Sequence, residues 1–103
     1  MEITPKIVNE FKSRVHISHN GEDDNLKRLL SFSYAYVESK CGTFDLEGET
    51  SIDIRATELV LERTRYAYND AVEYFEDNFL SEITSLGIDM LPDTTTTTTS
   101  GGG

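Results

Sequence analysis

The segment "IDIRATELVLERTRYAYNDAVEYFEDNF", residues 52–79, decides the fold. It contains neither proline nor glycine, and its apolar residues recur at helical spacing. Thr50 or Ser51 can cap its start, since both offer a side-chain oxygen to the first free backbone N–H groups. We predict one long helix over residues 52–78, the longest element of the chain, which kinks or restarts at Glu76-Asp77-Asn78.

The apolar surface of this predicted helix is wider than one small core requires. Its two adjoining strips hold Ala56, Val60, Leu61, Ala67, Tyr68, Ala71, Val72, Tyr74, Phe75 and Phe79. They cover roughly half of the helix circumference, whereas a stripe of about 100° is enough for one core. Two interpretations stay open: half-buried tyrosines whose hydroxyls remain in water, or a contact between subunits in which tyrosine is a favoured anchor. The second interpretation names the candidate subunit-interface residues Leu61, Tyr66, Tyr68, Val72 and Phe79.

Two shorter helices are predicted before this segment. Thr4-Pro5 is a helix start, because threonine can cap and proline at the first helical position loses no hydrogen bond. This first helix ends near residue 14. A second helix opens with three carboxylates at Glu22–Asp24, which favour a helix N-terminus, and stops at Gly42. Residues 43–51 are predicted to form a loop.

After the long helix we predict a last helical stretch that ends at Gly87. Three apolar residues beyond it either tuck back or reach a partner: Ile88, Met90 and Leu91. Residues 92–103 form a low-complexity tail of threonine and glycine, so residues 1–91 are the folded domain. No segment alternates apolar and polar residues for long enough to make a strand. The predicted fold is all-α, a small bundle of three to four helices.

The acidic composition excludes several classes of function. Nineteen acidic residues stand against nine lysines and arginines, so the net charge is −10. Such a chain repels phosphate and anionic lipid, which excludes nucleic-acid binding driven by counterion release. No apolar run approaches the roughly 20 residues that a membrane span needs. A single cysteine cannot form an internal disulfide, so we expect a reducing compartment and synthesis in the cytoplasm.

The sequence carries no signature of a catalytic, cofactor-binding or metal-binding site. His16 and His19 flank a predicted turn and lack the further ligands of a zinc site. Cys41 has no recognisable base beside it, so we interpret it as a small structural side chain. The acidic loop from Asp45 does not place glycine and glutamate at the EF-hand positions. A DNA-reading helix-turn-helix is excluded too, because Glu22–Asp24 would face the phosphates. We expect neither an enzyme nor a cofactor.

Two stretches of the chain carry a resemblance to a known family. They are "GEDDNLKRLLSFSYAYVESKCG", residues 21–42, and "IRATELVLERTRYAYNDAVEYFEDNFLSEITSLGI", residues 54–88. In order and pattern they resemble the head–tail connector (head-completion adaptor) family of tailed bacteriophages. The matching motifs are the Glu-Asp-Asp-x-Leu opening at Glu22–Leu26 and the Leu-Val-Leu-Glu-Arg…Tyr-x-Tyr-Asn-Asp-Ala run at Leu59–Ala71. The resemblance covers about residues 3–90.

The resemblance implies a small helical bundle that assembles as a ring, typically twelvefold, beneath the portal of the capsid. Such a ring prolongs the DNA channel and receives the tail or stopper protein. The implied partners are therefore the portal protein, the tail or stopper protein and further copies of the chain. Genomic DNA would only pass through the channel, and no membrane takes part. The implied location is the head–tail interface of the virion, after assembly in the host cytoplasm. In this family, segments near the C-terminus often rearrange on docking. The resemblance therefore implies that residues 88–91 are such a segment.

Within such a ring, the charged face of the long helix suits the channel wall, because carboxylates do not retain phosphates as DNA slides past. The candidate channel-facing residues are Glu58, Glu62, Glu73 and Glu76. The competing hypothesis is a small acidic regulatory or inhibitory protein that mimics DNA. A mimic should be a tight monomer or dimer with carboxylates spread over its surface, whereas a connector should expose apolar patches.

Overall fold

Four α-helices and one 3-10 turn make up the part of the chain that a computed structural model describes, residues 3–91. The elements are α1 (Pro5–Arg14), α2 (Asp23–Cys41), α3 (Ser51–Tyr68), the 3-10 turn Val72–Tyr74 and α4 (Phe75–Asp89). Residues 3–91 contain no strand, so the predicted all-α bundle of three to four helices is confirmed. The predicted tail, residues 92–103, lies outside the described residues.

The N-terminal helix starts and ends where the sequence predicts. Thr4 Oγ1 accepts a hydrogen bond from Ile7 N at 3.4 Å, and Pro5 occupies the first helical position. The Thr4 hydroxyl also donates to the carboxylate of Glu47, which ties α1 to the loop before α3. After the helix, His16 takes a left-handed φ of +64° and turns the chain towards α2.

Helix α2 ends at the predicted glycine. Gly42 has a φ of +128° and a ψ of 175°, a conformation that is nearly restricted to glycine, and its N–H donates to Glu38 O at 2.9 Å. The side chain of Met90 lies against Gly42, so the end of α4 packs directly on this turn. A residue without a side chain is needed here for both reasons.

The predicted long helix over residues 52–78 is wrong in its extent. Helix α3 ends at Tyr68, because Asp70 adopts a left-handed φ of +58° and Ala71 N donates back to Tyr66 O at 2.8 Å. This backbone pattern closes a helix in the same way as a C-terminal glycine. Aspartate is one of the few residues besides glycine that tolerate the left-handed conformation, and this is why no glycine marks the break.

The last helix, in contrast, is longer than predicted. Helix α4 starts at Phe75, before the predicted restart, and continues through Gly87 to Asp89. Gly87 does not cap the helix but lies within α4, where a Cβ would meet Lys40 O of α2 at an ordinary distance of 3.6 Å. As a result α2, with 19 residues, is the longest element, and α3 has 18.

The core lies along the central pair α2 and α3. Helix α4 packs against both of them, and α1 covers another side. The largest fully buried side chains come from all four helices: Ile7, Phe11, Leu26, Leu30, Val37, Val60, Leu61, Phe75 and Leu86. The loop between α2 and α3 adds Phe44, whose ring lies 4.9 Å from that of Tyr34. This arrangement leaves the outer side of α4 and part of the α2–α3 groove uncovered.

Candidate functional site

The five residues predicted for a subunit interface do not form one surface. Leu61 is only 2% exposed and belongs to the core, which corrects its assignment to an interface. The reason is that α1 lies over this side of α3, where Arg14 reaches Glu58 and Glu62. Tyr68 is half-buried at the same junction, and its hydroxyl donates to the Glu22 carboxylate at 3.0 Å.

The break after α3 lets the chain cover most of its own aromatic surface. The ring of Tyr66 lies 5.7 Å from both Phe75 and Phe79, and the two phenylalanine rings stack at 4.8 Å. Asn78 Nδ2 donates to the Tyr66 hydroxyl at 3.0 Å. The interpretation of half-buried tyrosines therefore applies to Tyr66, whereas Tyr74 stays exposed.

The predicted channel-facing carboxylates divide between two places. Glu58 and Glu62 both bind Arg14, and Arg65 Nη2 lies 2.7 Å from Glu62 Oε1. Burial acts to raise the pKa of Glu62, but the hydrogen bonds from Arg65 and Arg14 outweigh it, so the pKa lies below its usual value. Glu62 is thus held in an internal ion-pair network.

The other two carboxylates lie beyond the break. Glu73 is exposed in the 3-10 turn, and Glu76 lies at the start of α4, 3.8 Å from Lys40 of α2. They do not share a face with Glu58 and Glu62, because the single helix that would align all four does not form. Glu58 and Glu62 instead line a cleft of about 430 Å³ between α3 and α4, together with Phe79.

The outer side of α4 carries an apolar stripe with nothing packed on it in the described part of the chain. Leu80, Ile88 and Leu91 are 52%, 61% and 62% exposed. With Thr84 they recur every three or four residues, so they lie on one face of the helix and the residues just after it. We call this face the outer stripe: Leu80, Thr84, Ile88 and Leu91.

A second uncovered apolar surface lies between α2 and α3. Helix α4 covers one part of the groove between these helices, and the remaining part is open. We call it the open groove, lined by Leu29, Phe32 and Tyr36 of α2, Arg63 and Ala67 of α3, and Val72. Phe32 is 59% exposed on its rim. Of the predicted interface residues, Val72 is the one that lies here.

The open groove holds a half-buried cation. The Arg63 guanidinium lies 4.4 Å from the centre of the Tyr36 ring and donates to Ser33 Oγ at 3.2 Å. Burial lowers the pKa of Arg63. Within residues 3–91, no carboxylate lies at ion-pair distance from it. Burial, with the nearby Glu76 carboxylate, raises the pKa of Tyr36, and the Tyr36 hydroxyl has no hydrogen-bond partner among the described residues.

Within residues 3–91, the side chains that could bind a metal ion or act as a nucleophile do not form a reactive site. Residues 3–91 contain no group of three or more histidine, cysteine, aspartate or glutamate side chains that could hold a metal ion. Cys41 Sγ donates to Ile83 O at 3.5 Å, and burial raises the pKa of this thiol, which opposes nucleophilic reactivity. None of the helices within residues 3–91 has the length and apolar character of a membrane span.

No family model, no curated protein and no solved structure matches the chain.

Several of the exposed apolar residues were absent from the predicted interface. Phe32 and Tyr36 fall outside the inward-facing stripe of α2, and this is the sequence signal that could have identified the open groove. Ile88 and Leu91 were predicted either to tuck back or to reach a partner. They are exposed, whereas Met90 packs against Gly42.

Proposed function

We propose that this protein is a structural subunit of the head–tail connector of a tailed bacteriophage. Copies of it form an adaptor ring beneath the portal of the capsid, prolong the DNA channel and receive the tail or stopper protein. Two lines of argument support the proposal: the resemblance of residues 3–90 to the connector family, and the distribution of apolar surface over the folded domain.

The observation that carries the proposal is the presence of two different uncovered apolar surfaces. A subunit of a ring contacts one neighbour through one surface and the other neighbour through a different surface. The outer stripe and the open groove belong to different elements: the stripe lies on α4 and the residues just after it, and the groove is formed by α2, α3 and Val72. Both surfaces are therefore available for contacts with neighbouring copies.

The charge of the protein fits a channel component that does not hold DNA. With a net charge of −10, a wall built from such subunits repels phosphate, so the duplex can slide past it. Glu73 is exposed and has no ion-pair partner among the described residues, so it remains available to face the channel. Glu62 is less suited, because its carboxylate already binds Arg14 and Arg65.

The proposal is tested by mass measurement of the purified protein with and without the portal ring of the same phage. We expect the protein to join the portal as a stoichiometric ring. The portal is identified as the product of a gene neighbouring the one for this chain.

The opposite result favours the acidic regulatory protein that mimics DNA. In that case the protein ignores the portal, keeps the mass of a monomer or dimer, and competes with DNA for a DNA-binding enzyme. A stoichiometric complex with the portal excludes this alternative.

A further inference from the structure

We propose that the outer stripe of one copy docks in the open groove of the next, so that identical chains join head to tail. This inference rests on the proposed function, and it names the contact by which the ring is built. The occupant of the groove is a second copy of this chain, and the argument for it is the complementary charge of two apolar surfaces.

The open groove supplies the positive side of the contact. Five of the nine lysines and arginines form ion pairs within residues 3–91: Lys12, Arg14, Lys40, Arg55 and Arg65. Of the remaining four, Arg63 lies in the open groove, and Arg28 lies one helical turn before Phe32 on its rim. Arg28 bonds only the neutral Asn25 side chain, at 2.6 Å. Both guanidinium groups thus lack a carboxylate in the described part of the chain.

The outer stripe supplies the matching negative side. Asp77 lies three residues before Leu80, so it extends the line of the stripe at its N-terminal end. Asp77 is exposed and has no ion-pair partner within the described residues, and Glu76 beside it is only weakly paired to Lys40 at 3.8 Å. The stripe therefore combines three exposed apolar side chains with an acidic end.

The charge of the whole protein makes this pairing necessary. Two copies that each carry a net charge of −10 repel one another, so a stable contact must place scarce cations against carboxylates. The open groove is an apolar surface with two unpaired guanidinium groups, and the outer stripe is an apolar surface with an unpaired carboxylate. Apolar residues then meet apolar residues while Asp77 meets Arg28 or Arg63.

The contact is heterologous, because the groove and the stripe are different surfaces. An open row of copies leaves a free stripe on one terminal copy and a free groove on the other, and closure into a ring covers both. This predicts that a copy with a damaged groove and a copy with a damaged stripe can still form a dimer with each other.

Cross-linking between single cysteines tests the contact even when it is transient. In a Cys41→Ser background, one protein carries Phe32→Cys and a second carries Leu80→Cys, and the two are mixed with a short bismaleimide. We expect about tenfold more cross-linked dimer from this mixture than from either protein alone, as for a contact worth about 1.4 kcal/mol. A mixture of Asn9→Cys, on the outward side of α1, with Leu80→Cys is the matched control.

A yield no higher than that of the control mixture overturns the proposal. So does an equal yield from Leu80→Cys alone, which would show a stripe-on-stripe dimer. A chain carrying both Phe32→Cys and Leu80→Cys should give a ladder of dimers, trimers and larger products, since each copy then reacts at both surfaces.

Exchange of charges tests the electrostatic part of the argument in the same cysteine pair. Arg28→Glu on the groove protein, or Asp77→Lys on the stripe protein, should lower the dimer yield about tenfold, and the two together should restore it. Both residues are exposed, so their replacement leaves the fold intact. A yield that does not recover in the combined pair contradicts the proposed contact.

Failure of this inference differs from failure of the proposed function. If the protein joins the portal ring but the cross-links do not form, the connector role stands and the stripe-to-groove contact falls. If the cross-links form but the protein ignores the portal, the contact stands and the connector role falls.

Discussion

At the scale of single residues, three positions with left-handed backbone govern where the helices end. Gly42 closes α2, His16 follows α1 and Asp70 follows α3. Each helix end carries backbone carbonyls that need partners. After His16 and Asp70 the next N–H group reaches one of them, since Ile17 N donates to Lys12 O and Ala71 N donates to Tyr66 O. The path of the chain from one helix to the next depends on these positions.

Gly42→Ala should destabilise the fold. A Cβ at this position would lie 3.3 Å from Met90 Cε, and the φ of +128° is strained for any residue with a side chain. We expect a loss of about 1–3 kcal/mol in the free energy of unfolding, measured by urea denaturation. Gly21→Ala is the matched control, since a Cβ there meets only His19 at an ordinary 3.5 Å. Equal stability of the two variants would contradict this account of Gly42.

Asp70→Gly should stabilise the protein. Glycine removes the steric cost of the left-handed conformation at φ +58°, which aspartate tolerates but does not favour. We expect its free energy of unfolding to exceed that of Asp70→Asn by about 0.5–1 kcal/mol. Asp70→Asn is the matched comparison, because it also removes the charge. If Asp70→Gly is the less stable of the two in thermal unfolding, the break after α3 has another cause.

Glu62→Gln should reveal a pH-dependent contribution of the ion-pair network. The folded-state pKa of Glu62 is lowered, so its stabilisation is present above the unfolded value of about 4.3 and is lost as the pH falls through the folded-state pKa. We expect the variant to be less stable by about 1–2 kcal/mol at neutral pH.

The same comparison at acidic pH provides the check. The difference in unfolding free energy between the two proteins should shrink as the pH falls through the lowered folded-state pKa of Glu62, below which both side chains are neutral. Glu82→Gln serves as the control, since Glu82 is exposed and forms no ion pair within residues 3–91. A difference that is independent of pH would show that Glu62 acts by packing alone.

At the scale of elements, the sequence predicts helix starts better than helix ends. Thr4 and Thr50 cap α1 and α3 as expected, because a capping side chain acts on residues two or three positions away. The end of α3 could not be predicted in the same way. Asn69-Asp70 is compatible with a continuing helix as well as with a left-handed turn, and the packing of Phe75 and Phe79 against Tyr66 favours the turn.

Gly87→Ala should stabilise α4, whereas Gly42→Ala should destabilise the fold. A Cβ at position 87 would meet Lys40 O at 3.6 Å and Cys41 Cα at 3.9 Å, which are ordinary contacts. We expect a gain of about 0.5–1 kcal/mol in unfolding free energy, from the higher helix propensity of alanine. A loss would show that α4 approaches α2 too closely for any side chain.

At the scale of the whole molecule, the fold class was predictable and the uncovered surfaces were only partly so. Helical periodicity and the absence of strand patterns are local properties of the sequence. Which apolar residues stay exposed depends on how α4 folds back, and a prediction of one long helix therefore placed the candidate interface on Leu61 and Tyr66. Val72, predicted as a subunit-interface residue, borders the open groove, and its part in a contact between subunits stays a prediction.

The proposed channel role of the acidic surface is best tested at Glu73. Its side chain is exposed and unpaired within the described residues, so Glu73→Lys should leave the fold unchanged. In assembled phage we expect slower DNA ejection, because a lysine on the channel wall attracts phosphate. Glu10→Lys on α1 gives the same change of charge away from the predicted channel. Ejection rates that are equal in the two variants would count against a channel-facing Glu73.

The central claim is that copies of this chain assemble through two different surfaces into a ring on a portal. Electron cryo-microscopy of the protein mixed with the portal of its phage tests this claim most directly. The account predicts an added ring below the portal in which the outer stripe of each copy lies in the open groove of its neighbour. A portal without an added layer, or a layer in which both surfaces face solvent, would contradict it.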